Sequence, residues 1–482
     1  MSEFDTVIRG GTVVTASDTF DADVGIAEGR IAAIARALPD GRRTIDARGK
    51  LVMPGGVDGH CHLDQPSGDG SVCADDFFTG TVAAAFGGTT TVIPFACQFK
   101  GMPMQAAVDD YHRRATGKAV VDYAFHLIVS DPTPTLLEQD LPRLIGEGYT
   151  SFKVYMTYDD LKLDDRQIIR LLSVARRHGA MTMIHAENAD LIAWLTDGLL
   201  EQGKIEPRYH AQSRPMVVER EATHRAISIA ELADVPILIV HVSGREAVEQ
   251  IHWAQGRGLR IYAETCPQYV TLTEDHLAQP GFEGAKCICS PPPRDVANQS
   301  VIWDGLENGL FHVFSSDHAP FRYKSPTGKM LKGENTPFKW VPNGVPGIET
   351  RLPILFSEGV RKGRISLNRF VDLVSTQPAR MYGLHPRKGS LSIGADADVV
   401  VFDPELRRVI RADKLHQNVD YTPYEGMVVD GWPVLVMSRG DVIVEDMQLH
   451  AAPGRGAFLR CGKPDPARPK PPRVTEAPVR LG

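Results

Sequence analysis

The chain has 482 residues, 43% of them hydrophobic and 23% charged, a composition typical of a globular protein. Its formal net charge of −7 excludes the strongly basic surface that nucleic-acid-binding proteins carry. The first residues show no signal-peptide pattern, the seven cysteines are scattered, and the chain has no run of about 18 apolar residues. We therefore expect a cytoplasmic protein without a disulfide framework, a membrane span, or a nucleic-acid or membrane partner.

Short strands separated by tight turns are predicted at the amino-terminal end. The segments TVIRGGTVVTA, DADVGIAEGRIAAIA and TIDARGKLVMPG alternate apolar and polar residues, and Gly-Gly, Glu-Gly and Arg-Gly mark the turns. The same pattern returns near the other end, in GSLSIGADADVVVFDPE and MVVDGWPVLVMSRGDVIVED. Two β-rich ends around a different middle predict one small β domain, discontinuous in sequence, made of residues 1–53 and 386–460.

The middle of the chain, residues 54–385, alternates apolar runs with helix-like segments such as LLSVARRHGA. Each apolar run is interpreted as a buried strand; the runs are VDGHCH (57–62), TTTVIPFA (89–96), VDYAFHLIV (121–129), TSFKVYM (150–156), MTMIHAE (181–187), PILIVHVS (236–243), RIYAETC (260–266) and HVFSSDH (312–318). Eight such strands predict an α/β fold, a (β/α)₈ TIM barrel. An open doubly wound sheet would alternate in the same way, but the strand count and the positions of the polar residues favour the barrel.

The last part of the chain, residues 461–482, is rich in proline and carries more basic than acidic residues. Such a segment cannot form a core of its own. We expect an extended tail that is either solvated or lies against a neighbouring subunit.

Several predicted strands end in side chains that can bind a metal ion. The active sites of (β/α)₈ barrels lie at the carboxyl ends of the strands. A histidine that closes an aliphatic strand is costly to bury without a partner. The candidate ligands at or near strand ends are His60, His62, Lys153, His185, His241 and Asp317.

The number and type of these ligands favour two metal ions. His60 and His62 are two residues apart on a strand and therefore point to one face. Imidazole with carboxylate suits zinc or a similar divalent ion, and four histidines with one aspartate exceed the three protein ligands usual for one catalytic zinc. Two ions roughly 3.5–4 Å apart would share a hydroxide. They also need a bridging anion, and no further carboxylate is placed for this, so Lys153 can serve only if it is modified.

Motifs along most of the chain resemble one family. They are DGHCHLD, AAAFGGTTTVIPFA, TSFKVYMTY, IHAEN, YHAQSRP, IVHVS, YAETCPQY, EGAKCICSPP, SSDHAPF, PNGVPGIETR and PRKGSLSIGADAD. In this combination the chain resembles the dihydropyrimidinase and hydantoinase family of cyclic amidohydrolases, over about residues 5–450. The resemblance implies a (β/α)₈ barrel joined to a small β-sandwich built from both termini, and a homotetramer.

The resemblance also implies a ligand set. In that family the lysine matching Lys153 is carboxylated by CO₂ and bridges two divalent metal ions, of which zinc is the first expectation. The implied ligands of one ion are His60, His62, carboxylated Lys153 and Asp317, and those of the other are Lys153, His185 and His241.

The implied reaction is hydrolysis of a cyclic amide. A bridging hydroxide would open a 5,6-dihydropyrimidine or hydantoin ring to the N-carbamoyl amino acid. By the same resemblance Tyr158 stabilises the oxyanion, Asp317 carries the proton to the leaving nitrogen, and main-chain groups at Ser290 and Asn343 bind the ring. Glu264 and Cys266 are expected to be structural.

The loop after the first two ligands departs from the family pattern. Cys61 stands where hydantoinases commonly have threonine, and we expect it to face away from the metals. Gln65, Ser67 and Asp69 make the following loop polar. The stretch 157–160 also differs. A polar lid argues against bulky aromatic hydantoins and is compatible with dihydrouracil, dihydrothymine or a more polar ring.

Other activities of the same family remain alternatives. An allantoinase or another cyclic-imide hydrolase would use the same ligands. A dihydroorotase would need a cationic group beside the ring for the substrate carboxylate, and the sequence shows no candidate. Non-enzymatic scaffold relatives have lost metal ligands, whereas all six positions are filled here.

Overall fold

The computed structural model describes residues 3–470, so residues 471–482 of the predicted tail lie outside the described residues. In chain order the strands are β1 (Thr6–Val14), β2 (Thr19–Ala27), β3 (Arg30–Ala35), β4 (Arg43–Asp46), β5 (Leu51–Pro54), β6 (Gly56–Cys61), β7 (Thr89–Cys97), β8 (Asp122–Tyr123), β9 (His126–Ile128), β10 (Ser151–Tyr155), β11 (Met181–His185), β12 (Ile237–Ile239), β13 (Ile261–Thr265), β14 (Val313–Phe314), β15 (Val399–Val409), β16 (Val428–Ser438), β17 (Asp441–Glu445) and β18 (Gln448–Leu449).

Helices lie mainly between the strands of the middle region. They are α1 (Phe77–Phe86), α2 (Met104–Ala115), α3 (Leu141–Gly146), α4 (Asp165–His178), α5 (Ala189–Glu201), α6 (Tyr209–Ser213), α7 (Met216–Ala233), α8 (Arg245–Gly256), α9 (Pro267–Thr271), α10 (Val296–Asn308), α11 (Arg351–Leu355), α12 (Leu367–Val371) and α13 (Gln377–Met381). Short 3₁₀ segments are Glu274–Ala278, Glu283–Cys287, Phe338–Trp340, Ala412–Lys414 and Asp465–Ala467, and π segments are Leu136–Asp140, Phe356–Val360 and Asp372–Thr376. No helix within residues 3–470 is long and apolar enough to cross a membrane.

Local sequence signals set the limits of these helices. Before α4, the Asp164 side chain accepts a hydrogen bond from the backbone of Gln167, whose own side chain accepts one from the Asp164 backbone. The helix ends at His178, and the next residue, Gly179, has a φ of +77°, which glycine adopts at little cost.

The middle strands form one curled parallel sheet in sequence order. The order runs β6, β7, β9, β10, β11, β12, β13 and β14, with β8 paired beside β7. Each of the eight apolar runs predicted as strands overlaps a strand of this sheet. After the last strand, His318 bridges to Cys61, and its carbonyl accepts a 2.7 Å hydrogen bond from the His62 backbone. A doubly wound sheet would reverse its strand order at a switch point, so that alternative does not apply.

The strands of this sheet bury apolar residues on both faces. Every residue of β7 and β11 is buried, as expected for parallel strands covered on each side. His60 and His185 lie at the carboxyl ends of β6 and β11, and His241 and Asp317 follow β12 and β14. This edge of the sheet therefore carries the candidate site.

A second sheet combines strands from both ends of the described chain. Its order is β18-β17-β16-β15-β5-β1-β2-β3, with β4 paired to β1. The two ends meet where Leu51–Pro54 pairs antiparallel with Val399–Phe402. The seven cysteines are all free, and six of them are buried.

The first part of the predicted tail packs near the amino-terminal end of β10. The Cys461 backbone donates to the Gly148 carbonyl at 3.0 Å, and the Thr150 hydroxyl donates to the Gly462 carbonyl at 2.9 Å. Ala467 is buried. Residues 461–470 are thus packed on their own chain and not merely solvated, because their backbone groups find partners at the amino-terminal end of β10.

Candidate metal centre

All nine predicted site residues line one cavity at the carboxyl ends of the parallel strands. The cavity has a volume of about 350 Å³. The residues that the sequence nominated and the fold brings together there are His60, His62, Lys153, Tyr158, His185, His241, Ser290, Asp317 and Asn343. Cys61 is buried and lies outside this lining, as expected from the alternation of side chains along β6.

The first cluster of potential ligands comprises His60, His62 and Asp317. One ligand atom from each lies within 4.8 Å of the others. The Asp317 Oδ1 atom is 3.3 Å from His60 Nε2 and 3.4 Å from His62 Nε2. Burial alone would raise the pKa of Asp317, but the neighbouring His60 and His62 outweigh it and lower that pKa. A carboxylate and two imidazoles thus face one point.

Lys153 lies in the middle of β10 and is completely buried. Its Nζ atom is 3.2 Å from His60 Nε2. Burial lowers the pKa of this amine to about 8. About a tenth of this amine is therefore unprotonated at pH 7, far more than for an ordinary lysine, and an unprotonated amine can react with CO₂.

His185 and His241 form a second cluster beside the first. Their ring centres are 4.4 Å apart, and the His241 ring is 5.4 Å from the His60 ring. Burial lowers the pKa of both histidines, so both are neutral. The buried Nδ1 atom of His241 has no hydrogen-bond partner among residues 3–470. A neutral imidazole with an unused nitrogen is suited to bind a metal ion.

Side chains behind the first cluster fix the orientation of its histidines. Glu264 Oε1 lies 2.6 Å from His60 Nδ1, and the Gln65 amide oxygen accepts a 2.6 Å hydrogen bond from His62 Nδ1. The Nε2 atoms of His60 and His62 therefore face Asp317. Glu264, which was expected to be structural, thus contacts a candidate ligand and fixes its orientation.

A similar arrangement supports His185. Its Nε2–H donates to Glu187 at 2.7 Å, which leaves Nδ1 for the cavity. Burial by itself would raise the pKa of Glu187, but Arg214, 2.8 Å away, and His185 bring it to about 2. Glu187 and Arg214 were missed in the sequence, although both stand inside the quoted motifs IHAEN and YHAQSRP. A glutamate two residues after a ligand histidine was the available signal.

Tyr158, Ser290 and Asn343 form another part of the cavity wall. The Asn343 side-chain amide donates to the Tyr158 hydroxyl at 3.3 Å. Burial raises the pKa of Tyr158, so its hydroxyl keeps its proton at neutral pH. The Ser290 hydroxyl and the Asn343 amide oxygen are buried and have no partner among the described residues. This wall therefore offers the hydroxyl groups of Tyr158 and Ser290 and the amide oxygen of Asn343.

Three of the nine predicted site residues have a left-handed backbone conformation. The φ angles are +65° at Tyr158, +41° at His241 and +45° at Asp317. Such angles are unfavourable for residues other than glycine and cluster at functional sites. The strain indicates that the fold positions these side chains at the expense of local backbone preference.

The loop after His62 is polar, but its polar groups are used within the loop. Gln65 bonds to His62, and Ser67 bonds to Asp69, whose carboxylate accepts from the Ser71 backbone at 2.8 Å. Apolar side chains complete the wall around it, namely Phe99, Leu161, Phe321 and Trp340. The predicted polar lid is thus only part of the boundary, because sequence position does not show which polar groups pair with each other.

Known proteins are similar to this chain in sequence and in fold. The amidohydrolase family model matches residues 51–443. The D-hydantoinase of Geobacillus stearothermophilus is 49% identical over 460 residues, which span 95% of this chain and 96% of the relative. The structure of dihydropyrimidinase from Brevibacillus agri superposes with a TM-score of 0.92 at 46% identity, covering 95% of this chain and 99% of that one.

A more distant solved structure shows the same arrangement. L-hydantoinase (dihydropyrimidinase) from Arthrobacter aurescens superposes with a TM-score of 0.86 at 30% identity, covering 95% of this chain and all of its own. Sequence and fold thus agree over nearly the full length. This chain belongs to the amidohydrolase family, in the branch of the dihydropyrimidinases and hydantoinases.

Proposed function

We propose that this chain is a metal-dependent cyclic amidohydrolase that opens a 5,6-dihydropyrimidine or hydantoin ring to the N-carbamoyl amino acid. The observation that carries the proposal is the convergence of four imidazoles, one carboxylate and one buried lysine in a single cavity. The activities named for the similar proteins support it.

The donor set fits two divalent metal ions, and zinc is the proposed metal. The proposed ligands are His60, His62, Asp317 and the carboxylated Lys153 for one ion, and Lys153, His185 and His241 for the other. When bound, two such ions supply a hydroxide nucleophile near neutral pH. The oriented histidines and the unused His241 Nδ1 support this assignment.

Carboxylation of Lys153 supplies the missing anion. The unprotonated amine adds to the carbon of CO₂: an N–C bond forms, one C=O π bond breaks with its electron pair passing to oxygen, and the nitrogen loses one proton to water. The product is an anionic carbamate with two oxygens. The low pKa of Lys153, caused by burial, favours the amine form that this step requires.

Asp317 and Tyr158 are the proposed catalytic residues. The Asp317 carboxylate accepts the proton of the nucleophile and passes it to the ring nitrogen when the C–N bond breaks. The Tyr158 hydroxyl donates to the oxygen that becomes negative as the carbonyl carbon turns tetrahedral. Its raised pKa keeps that donor proton in place.

Ring recognition is assigned to the wall with Ser290 and Asn343. Within residues 3–470, no donor contacts the carbonyl oxygen of either residue. A cyclic –CO–NH–CO– edge presents a donor between two acceptors, so it matches main-chain carbonyl and amide groups. The apolar boundary at Phe99, Leu161, Phe321 and Trp340 leaves room for a ring substituent beyond this edge.

We extend the proposal to the architecture and assembly. The curled sheet is proposed to be a closed (β/α)₈ barrel of residues 54–385, and residues 1–53 and 386–460 a β-sandwich. The chain is proposed to act as a homotetramer in the cytoplasm, where its free cysteines suit a reducing compartment. Light scattering of the purified protein measures the assembly directly.

The first test is ring opening of dihydrouracil and hydantoin by protein supplied with zinc and bicarbonate, with and without a chelator. We expect the N-carbamoyl product, and we expect its formation to stop when the metal is removed. Turnover that survives complete metal removal would contradict the mechanism. Failure of the metal-loaded protein to open either ring would contradict the proposed substrates.

Replacement of Gln65 by leucine is expected to weaken metal binding. Leucine keeps the volume but cannot accept the hydrogen bond from His62 Nδ1, so the imidazole loses its fixed tautomer and orientation. Loss of such a partner typically costs about 10- to 100-fold in metal affinity. Metal content after dialysis against graded chelator is the measurement. Ser67→Ala, in the same loop, should retain metal like the wild type, and equal retention by both variants would refute the role of Gln65.

A further inference from the structure

The side chain of Lys329 is a buried amine outside the proposed metal centre. It lies in a turn between β14 and α11 and is completely buried. Its Nζ atom donates hydrogen bonds to the carbonyl oxygens of Ile288 at 3.0 Å, Pro342 at 2.7 Å and Gly344 at 2.7 Å. One amine thus joins two chain segments that are distant in sequence.

These two segments are the ones assigned to ring recognition. Pro342 and Gly344 flank Asn343, and Ile288 precedes Ser290 by two residues. The intervening Cys289 carbonyl accepts from His210 Nε2 at 2.8 Å. The carbonyls before and after the recognition groups are therefore occupied. Those of Ser290 and Asn343 accept no hydrogen bond from the described residues.

We propose that Lys329 is a positioning residue for substrate recognition, which holds the Ser290 and Asn343 segments at the spacing that the cyclic –CO–NH–CO– edge requires. This inference rests on the proposed function. Lys329 does not line the cavity and therefore acts on the ring only through the main chain.

The chemistry of the side chain fits this task. An ammonium group has three donors and no acceptor, which matches three carbonyl acceptors. No carboxylate pairs with Lys329 among residues 3–470. A buried cation without a counter-ion is costly, so an apolar residue would be the cheaper way to fill this space. The lysine instead fixes the direction of three peptide groups.

Gly344 shows how closely the segments are packed. Its φ is +147°, and a Cβ atom there would lie 2.4 Å from the Ala319 side chain. Its backbone N–H donates to the Ile288 carbonyl at 3.0 Å, the same oxygen that Lys329 binds. Within residues 3–470, loss of the lysine donors leaves this as the one direct hydrogen bond between the segments, so their separation is expected to change.

The test compares Lys329→Met with the wild type on the ring substrate that the wild type opens. Methionine has a similar length but no donor. We expect kcat/KM to fall by about 10- to 100-fold, chiefly through a higher KM, because small displacements of binding groups have effects of this size. Metal content should remain that of the wild type. Lys324→Met, an exposed lysine of the same turn region, is the matched control and should leave KM unchanged.

A folded Lys329→Met variant with wild-type KM would overturn the proposal, even if its Tm is lower, since that result describes a purely structural residue. If this variant does not fold, Lys329→Arg answers the same question. A planar guanidinium cannot place three donors at one point, so KM should again rise, and a wild-type KM would overturn the proposal.

The proposed function is tested separately by the wild type. If it opens neither ring, that function fails, and the role of Lys329 is then measured without turnover. Glutarimide, which carries the same –CO–NH–CO– edge, should raise the Tm of the wild type more than that of Lys329→Met. An equal rise in both proteins would refute the inference.

Discussion

Replacement of Lys153 by alanine is expected to lower kcat for ring opening by about 1,000-fold or more, which corresponds to about 4 kcal/mol of transition-state stabilisation. Alanine has no nitrogen to carboxylate, so the proposed bridging anion cannot form. The histidines and Asp317 remain, but the two sites lose their shared ligand. We therefore expect metal content to fall from two ions per chain toward one or none, measured by elemental analysis beside the kinetics.

Two further measurements separate this loss from misfolding. Lys162→Ala removes a partly exposed lysine that pairs with Asp159 near the same cavity, and it should keep wild-type activity and metal content. Propionate should restore part of the activity of Lys153→Ala, because its carboxylate fits the space that the lysine side chain leaves. Wild-type turnover by Lys153→Ala without such an additive would refute the two-metal arrangement.

The positions of the candidate ligands could be predicted because they follow from short-range patterns. A run of apolar residues predicts a buried strand, and a polar residue at its end falls at the active-site edge of the sheet. The strand register agrees with this prediction. Tyr155 of β10 lies beside His185 of β11, and Lys153 is two residues before Tyr155, so the side chains of Lys153 and His185 line the same cavity. Each of these inferences needs only a few neighbouring residues.

The partners of these ligands could not be predicted in the same way. Glu264 is 204 residues from His60, and Arg214 is 27 residues from Glu187. Their contacts depend on the order and curvature of the strands, which no local pattern contains. Glu264 does stand at the end of a predicted strand, so the signal was present. The sequence does not give the distance between Glu264 and the histidines. Only that distance shows whether the carboxylate could bridge two metal ions or instead holds a histidine in place.

Lys329 and the loop after His62 show a second limit. A lysine in a region of turns is usually exposed, and its burial against three carbonyls follows only from the way distant segments pack. The polar residues Gln65, Ser67 and Asp69 predict a polar lid if each is free to meet substrate. In the structure they are not all free, because Gln65 bonds to His62 and Ser67 bonds to Asp69. Pairing among polar groups is a tertiary property.

Replacement of Tyr158 by phenylalanine is expected to lower kcat by about 100- to 1,000-fold, the usual effect of removing one oxyanion donor, or about 2.7–4 kcal/mol. The change removes a single oxygen. Because the Tyr158 hydroxyl is proposed to donate mainly when the carbonyl oxygen becomes negative, KM should change far less than kcat. The Asn343 amide loses its 3.3 Å partner, which is a small effect on folding by comparison.

Tyr155→Phe is the matched comparison for this variant. Tyr155 lines the same cavity, and its ring lies 5.8 Å from that of Tyr158. We expect Tyr155→Phe to retain kcat within a few-fold, while both variants keep wild-type metal content and circular dichroism. The reverse pattern, a silent Tyr158→Phe and a damaged Tyr155→Phe, would move the oxyanion donor to the other tyrosine. Equal and unchanged kinetics in both would leave the metal ions and main-chain groups as the only stabilisers of the oxyanion, and Tyr158 would lose its catalytic role.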